Sequence, residues 1–239
     1  MKEAGNARTP ALPSWLWLWV PLLFLLTVPA AFVFFPGHAQ DLIGSEYGIT
    51  ELSTPAILLV AIIAGVHCYR LRRRLPGRWL PAWLLLTTVA CLYFAGEEIS
   101  WGQQFFHWQT PATISRINDQ NETNLHNMSS WLDQKPRLLL ALGILWGGIV
   151  LPLWRRGRGI NYERQDWRYW FWPDFVCLPA ALLAFIVRFP EHYDKLFGAW
   201  PFNMPFRTSE VQEFYFAYFL MLDRKSTRLN SSHMSESRM

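Results

Sequence analysis

The sequence predicts an all-α protein, a polytopic bundle of six transmembrane helices. Several apolar runs in the 239-residue chain are long enough to cross a bilayer core, which takes about 20 helical residues. Only 17% of the residues are charged, against about 25% in soluble domains. Fourteen tryptophans collect beside the apolar runs, as is typical of side chains at a membrane–water interface. These observations favour a protein that folds in the bilayer.

Six apolar segments define the predicted spans, within one integral membrane domain over residues 1–222. The first has no charged residue and is longer than the apolar core of a signal peptide, about 7–15 residues, so an uncleaved span is predicted. The second has Pro55 in its first turns, where a helix tolerates proline. Aromatic residues lead into the fifth as an interfacial belt. The predicted spans are 15–35, 50–69, 79–99, 138–154, 171–189 and 211–222.

The sixth span is expected to be truncated, and residues 223–239 are expected to be an artefactual tail. The stretch DRKSTRLNSSH, which begins at Asp223, reverse-translates into a widely used sequencing adapter, and the residues after it fit the adapter's continuation. The apolar run also stops at Leu222, which is too early to complete a span. The tail is therefore excluded from the predicted fold.

The distribution of basic residues predicts the orientation. The N-terminal segment and the 70–78 and 155–170 loops hold twelve lysines and arginines, against six in the loops of the other side. The positive-inside rule predicts a cytoplasmic N-terminus in the cell (inner) membrane, and an outward 100–137 loop with short helices. The net charge of +4 does not indicate nucleic-acid binding, because the basic residues flank the spans.

Two adjacent carboxylates, Glu97 and Glu98, end the third span in the block GEEISWGQ. Ionisable residues at membrane depth are functional candidates by default. Neighbouring helical residues point about 100° apart, so one of the two is expected to face the bundle interior. A continuing helix would bring Ser100 and Trp101 onto the face of Glu97. The alternative is that the pair only ends the span in water.

The outward loop holds a second polar block, NDQNETNLHN at 118–127. On a helix, Glu122 and His126 could share a metal ion or a proton; the alternative is an amphipathic loop helix with solvated polar residues. Arg188 and Glu191 close the fifth span, either as a structural ion pair or as part of a site. The predicted catalytic residues are Glu97, Glu98 and His126, and the predicted binding residues are Glu122, Asn124, Asn127, Arg188 and Glu191. The sequence leaves both the metal and the cofactor unknown.

Taken together, the two blocks resemble an uncharacterised family of bacterial multi-pass membrane proteins that carries GEEISWGQ and NxQxETNLHN blocks. The resemblance rests on these blocks, in this order and spacing, and on the layout of the apolar runs. The family has no assigned activity, so the resemblance implies a membrane location and little chemistry.

Three functions are compatible with these residues. The first is a membrane protein that binds a lipid or a partner through the outward polar cluster. The second is a membrane-embedded hydrolase or transferase acting on a lipid-linked substrate, with Glu97 or Glu98 and His126 as acid and base or as metal ligands. The third is a small transporter, although transport sites lie near mid-membrane and the apolar centres are almost uncharged. The sequence leaves open whether the protein is an enzyme, its ligand and its oligomeric state.

Overall fold

The structure, a computed structural model, describes residues 12–44, 48–115, 123–124, 130–198 and 207–236. The described residues form helices joined by turns, with no strand among them. The predicted all-α helical bundle is therefore confirmed. Three of the predicted site residues, Glu122, His126 and Asn127, lie outside the described residues.

The helices are numbered in chain order. They are α1 (Trp15–Phe34), α2 (Ala39–Gly44), α3 (Ile49–Arg70), α4 (Leu80–Glu98), α5 (Gln103–Phe106), α6 (Ala112–Ser115), α7 (Ser130–Gly157), α8 (Trp167–Phe171), α9 (Leu178–Ile186), α10 (Phe189–Phe197) and α11 (Thr208–Glu236).

Five stretches are long and apolar enough to cross a membrane, and the protein is a multi-pass membrane protein. They are α1, α3, α4, α7 and the segment Trp167–Phe197, which contains α8 to α10. The last two are longer than the predicted 138–154 and 171–189, because the helices continue into polar residues that the apolar runs do not include. Short helices α5 and α6 occupy the loop after α4.

The predicted sixth span is the most deeply buried helix of the described bundle. In α11, the side chains of Val211, Phe214 and Leu222 are buried, and the helix packs against α3 and α9. The ring of Phe214 stacks on Phe24 of α1, with 3.4 Å between ring centroids. The helix continues across Asp223 to Glu236, so the apolar run ends at Leu222 but the helix does not.

Two tyrosines of α11 donate hydrogen bonds to main-chain carbonyls of α1. Tyr215 Oη donates to the carbonyl of Pro21 at 2.9 Å, and Tyr218 Oη donates to that of Leu16 at 2.6 Å. The first turns of α1 are π-helical, and Val20 N–H donates to the carbonyl of Trp15. The next nitrogen is that of Pro21, which has no hydrogen. The carbonyl of Leu16 therefore lacks a helical N–H, and Tyr218 supplies the missing donor.

Glycines allow the closest helix contacts in the bundle. A Cβ on Gly65 of α3 would lie 2.3 Å from Thr88 Oγ1 of α4, and a Cβ on Gly148 of α7 would lie 2.5 Å from the ring of Phe219. Small residues at such crossings let helix backbones approach, which drives association in lipid through van der Waals packing. These positions fix the spacing of α3 against α4 and of α7 against α11.

The bundle has two chemically different ends. The ends at Glu98 of α4 and Glu210 of α11 carry carboxylates, whereas the ends at Arg70 of α3 and Arg156 of α7 carry arginines. Between the two ends, the spans expose large apolar side chains, which in a membrane contact lipid. They include Leu26, Val33, Leu59, Ile63, Leu86, Val89, Leu139, Trp146 and Ile186.

Candidate functional site

The predicted site begins where α4 ends, in a left-handed turn. Ser100, Trp101 and Gly102 have φ values of 45°, 56° and 100°. Glycine adopts this region readily, whereas Ser and Trp are disfavoured there by contact between Cβ and the backbone. Non-glycine residues with such backbones cost on the order of 1–3 kcal/mol each and tend to occur at functional sites.

The turn brings Trp101 back onto the end of α4. Its indole Nε1 donates a 2.7 Å hydrogen bond to Oε1 of Glu97, whose side chain is buried. The ring lies so close to Gly96 that a Cβ there would be 2.8 Å from the indole carbons. The helix does not continue to Trp101, because α4 ends at Glu98, and the contact between Trp101 and Glu97 is made through the turn.

The two blocks singled out in the sequence contact each other. Asn124 Nδ2 donates to Ser100 Oγ at 3.2 Å, and Thr123 N–H donates to Gln103 Oε1 at 2.5 Å. Trp108 Nε1 donates to Thr123 Oγ1 at 3.2 Å. Asn124 is only 1% exposed. This predicted binding residue therefore ties the loop that follows α4 to the turn at its start.

Carboxylates from three helices meet at the same end of the bundle, in a group that we call the carboxylate cluster. Its members are Glu51 of α3, Glu97 and Glu98 of α4, and Glu210 and Glu213 of α11. Glu98 lies within electrostatic range of Glu51, Glu97, Glu210 and Arg137. Neither Glu97 nor Glu98 simply ends the span in water, because Glu97 is 5% exposed and Glu98 is partly buried.

Arginines accompany the cluster. Arg137, in the first turns of α7, forms an ion pair with Glu213, in which Arg137 Nη2 contacts Glu213 Oε1. Arg207 pairs more loosely with Glu210 at 3.4 Å and is largely exposed. Arg137 and Glu213 were not among the predicted site residues, because the pairing of two residues on distant helices leaves no periodic pattern in the sequence.

Arg188 and Glu191 form an ion pair, which was one of the two alternatives that the sequence left open. Arg188 Nη1 lies 2.6 Å from Glu191 Oε2, and Lys195 Nζ lies 2.7 Å from Glu191 Oε1. Thr208 Oγ1, at the start of α11, donates to Glu191 Oε2 at 2.8 Å. Thr208 is two residues from Glu210, so this network joins α10 to the helix that carries part of the carboxylate cluster.

The described part of the chain contains no group of three His, Cys, Asp or Glu residues that could hold a metal ion. The predicted partnership of Glu122 with His126 lies outside the described residues. Within the described site, the chemistry available comes from carboxylates, amides and arginines. Comparison of the chain with family models, with curated proteins and with solved structures finds no match.

Proposed function

We propose that this chain is a membrane-embedded binding protein that holds the ammonium head group of a lipid or lipid-linked ligand at the carboxylate cluster. The observation that supports it is the charge around Glu98, which lies within range of three carboxylates and one arginine. That arginine, Arg137, is already paired with Glu213. Partly buried carboxylates repel one another, and a bound cation lowers that cost.

The position of the cluster favours a lipid ligand. Its carboxylates lie at the ends of α3, α4 and α11, which is the depth of the head groups when the apolar centres of the helices fill the hydrocarbon layer. With the N-terminus in the cytoplasm of a bacterial cell, as the basic loops predict, the cluster faces the outer leaflet of the inner membrane. A primary ammonium donates hydrogen bonds that carboxylates accept, whereas a quaternary ammonium does not.

One observation favours a second candidate, a membrane-embedded hydrolase or transferase acting on a lipid-linked substrate. Ser100 and Trp101 hold left-handed backbones directly beside Glu97 and Glu98, and backbone strain of this kind is concentrated at active sites. In this alternative, one of the two glutamates acts with His126 as acid and base. The binding and catalytic proposals share the same carboxylates and differ in whether the ligand is altered.

The test of binding uses the full chain in non-ionic detergent, with short-chain phosphatidylethanolamine, phosphatidylcholine or phosphatidylglycerol added. We expect phosphatidylethanolamine to raise the midpoint of thermal unfolding more than phosphatidylcholine does, because only the phosphatidylethanolamine head group donates ammonium N–H bonds. Glu98→Gln keeps the shape of the side chain and removes its charge. It is expected to weaken the affinity for phosphatidylethanolamine by about tenfold, equivalent to about 1.4 kcal/mol.

The matched control is Glu163→Gln, which removes an exposed carboxylate at the arginine end of the bundle. It is expected to leave the lipid response unchanged. Equal responses to all three lipids would contradict the proposal. So would a Glu98→Gln variant that loses the same stability with and without lipid, since the carboxylate would then act only in helix packing. Mass spectrometry of the recovered lipid distinguishes binding from turnover.

A further inference from the structure

The end of the bundle opposite the carboxylate cluster carries a dense group of arginines, here called the arginine surface. Segments 70–78 and 155–168 together hold ten arginines and two carboxylates, Glu163 and Asp166. The arginines are Arg70, Arg72, Arg73, Arg74, Arg78, Arg155, Arg156, Arg158, Arg164 and Arg168. The positive-inside rule accounts for the presence of basic residues on this side, but not for how they are held.

Aromatic contacts join the two arginine segments into one surface. Trp79, directly after the first segment, has its ring centroid 5.5 Å from that of Trp167 and 5.3 Å from that of Phe171. Trp83, one turn further along α4, lies 4.8 Å from Phe171. The loop between α3 and α4 is therefore anchored beside α8. Arginines that are far apart in sequence act on the same region of solvent and lipid.

Several of the guanidinium groups rest on aromatic rings. The Cζ atoms of Arg155 and Arg168 lie 4.2 Å and 5.1 Å from the ring centroid of Tyr162. Arg156 lies 4.7 Å from the ring of Phe175, and similar contacts join Arg158 to Trp154 and Arg72 to Tyr69. A cation–π contact positions the guanidinium without neutralising its charge, and leaves edge N–H groups for another acceptor.

Carboxylates neutralise little of this charge. Asp166 bonds to Arg168, with Nε to Oδ2 at 2.9 Å, and this contact holds the pKa of Asp166 below its usual value. Among the described residues, Arg155, Arg156 and Arg158 have no carboxylate partner. The Nε of Arg155 is buried and has no hydrogen-bond partner in the described chain. The surface keeps a strong positive charge on side chains that are held in place.

We propose that the arginine surface binds the phosphate head groups of anionic phospholipids. Arginine recognises phosphate through paired N–H donors, and basic pockets beside membrane helices bind anionic head groups. The exposed rings of Trp79, Trp154 and Trp167 border the surface. Tryptophan collects at the depth of the head groups, so the neighbouring guanidiniums lie at the level of lipid phosphates. This inference is independent of the function proposed for the carboxylate cluster.

The test measures phosphatidylglycerol bound to the full chain by native mass spectrometry from mixed micelles of non-ionic detergent, with phosphatidylcholine as the reference lipid. The double variant Arg155→Gln/Arg156→Gln removes two guanidiniums that rest on rings. We expect its affinity for phosphatidylglycerol to fall at least about fivefold, because charge-assisted bonds to phosphate are lost. The control Lys135→Gln/Lys195→Gln removes the same charge from exposed residues that lie outside the arginine surface and is expected to change the affinity less than about twofold.

Tyr162→Leu tests the contacts between the guanidinium groups and the Tyr162 ring without changing any charge. This variant replaces the double arginine variant in the test if the latter does not fold. Loss of the ring releases Arg155 and leaves Arg168 held only by Asp166, so the affinity for phosphatidylglycerol is expected to fall. Equal losses in the two double variants would contradict the proposal, since diffuse charge would then explain the binding. Protection from thermal unfolding by inorganic phosphate equal to that by phosphatidylglycerol would also overturn it.

Discussion

The indole Nε1 of Trp101 lies 2.7 Å from Oε1 of Glu97 and donates a hydrogen bond to it. The bond crosses the left-handed turn that ends α4, and the ring occupies the space that Gly96 leaves without a side chain. A single tryptophan thus covers one carboxylate of the carboxylate cluster and fastens the turn at the end of α4.

Replacing Trp101 by phenylalanine separates these two roles. Trp101→Phe keeps an aromatic ring over Gly96 but removes the donor to Glu97. We expect the free energy of unfolding to fall by about 1.5–3 kcal/mol, the usual contribution of a hydrogen bond to a charged group. Thermal unfolding in detergent measures it, and Trp146→Phe, at an exposed ring in α7, is the control. An equal effect of the two changes would show that the bond to Glu97 contributes nothing.

Gly148 and Gly143 of α7 form a natural pair for testing helix packing. A Cβ at Gly148 would lie 2.5 Å from Phe219, whereas a Cβ at Gly143 would meet nothing within 4 Å. Gly148→Ala is expected to destabilise the bundle by about 1–3 kcal/mol through overpacking. Gly143→Ala is expected to be neutral or to stabilise by up to about 1 kcal/mol. Urea or thermal unfolding of both variants checks the sign, and matching signs would contradict the packing of α7 on α11.

Tyr218→Phe removes the hydroxyl that donates to the carbonyl of Leu16. Because Pro21 cannot supply an N–H, the carbonyl is left without its donor, and we expect a loss of about 1–3 kcal/mol. Tyr69→Phe, at the arginine end of α3, is the control and is expected to have little effect. Unchanged stability of Tyr218→Phe in detergent would show that lipid or water replaces the hydroxyl.

Cysteine labelling tests the orientation. Cysteines introduced in the 70–78 and 155–170 loops are expected to be protected from impermeant thiol reagents in intact cells, and those at 110–130 to react. The native Cys68, Cys91 and Cys177 are buried, so the unmodified chain provides a low background. Labelling of the arginine loops from outside would reverse the orientation.

The contributions of Arg137 and Glu213 to the free energy of unfolding are expected to be coupled. Arg137→Gln leaves Glu213 partly buried without this partner and should destabilise the bundle by about 1–3 kcal/mol. Combining it with Glu213→Gln should recover much of the loss, because no uncompensated charge remains. A double-mutant cycle on thermal unfolding measures the coupling. Additive losses would contradict a direct ion pair.

The apolar runs were sufficient to predict the helices, because crossing a bilayer imposes a length and a composition. They were not sufficient to predict which helix lies at the centre of the bundle. The run at Val211 is not among the five described stretches that are long and apolar enough to cross a membrane, yet α11 is covered by α1, α3 and α9. Lipid and protein interior are similarly apolar, so hydropathy does not distinguish a central helix from a peripheral one.

The site was predicted in part. Glu97 and Glu98 were recognisable because carboxylates at the end of an apolar run are costly. The left-handed backbones of Ser100 and Trp101 were not, since neither residue favours a positive φ and only Gly102 gave a local signal. Arg137 was counted as a loop residue, although its partner Glu213 lies on another helix.

The contact between α1 and α11 bears on how the protein is made. The hydroxyl of Tyr218 follows its acceptor, Leu16, by 202 residues. Ribosomes add about 5–20 residues per second, so about 10–40 s separate the synthesis of Leu16 from that of Tyr218. During that interval α3, α4, α7 and α9 are synthesised, and the bundle still lacks its most buried helix. The helix that fills the centre of this bundle is therefore synthesised after the helices that surround it, and the core is complete only when α11 has been added.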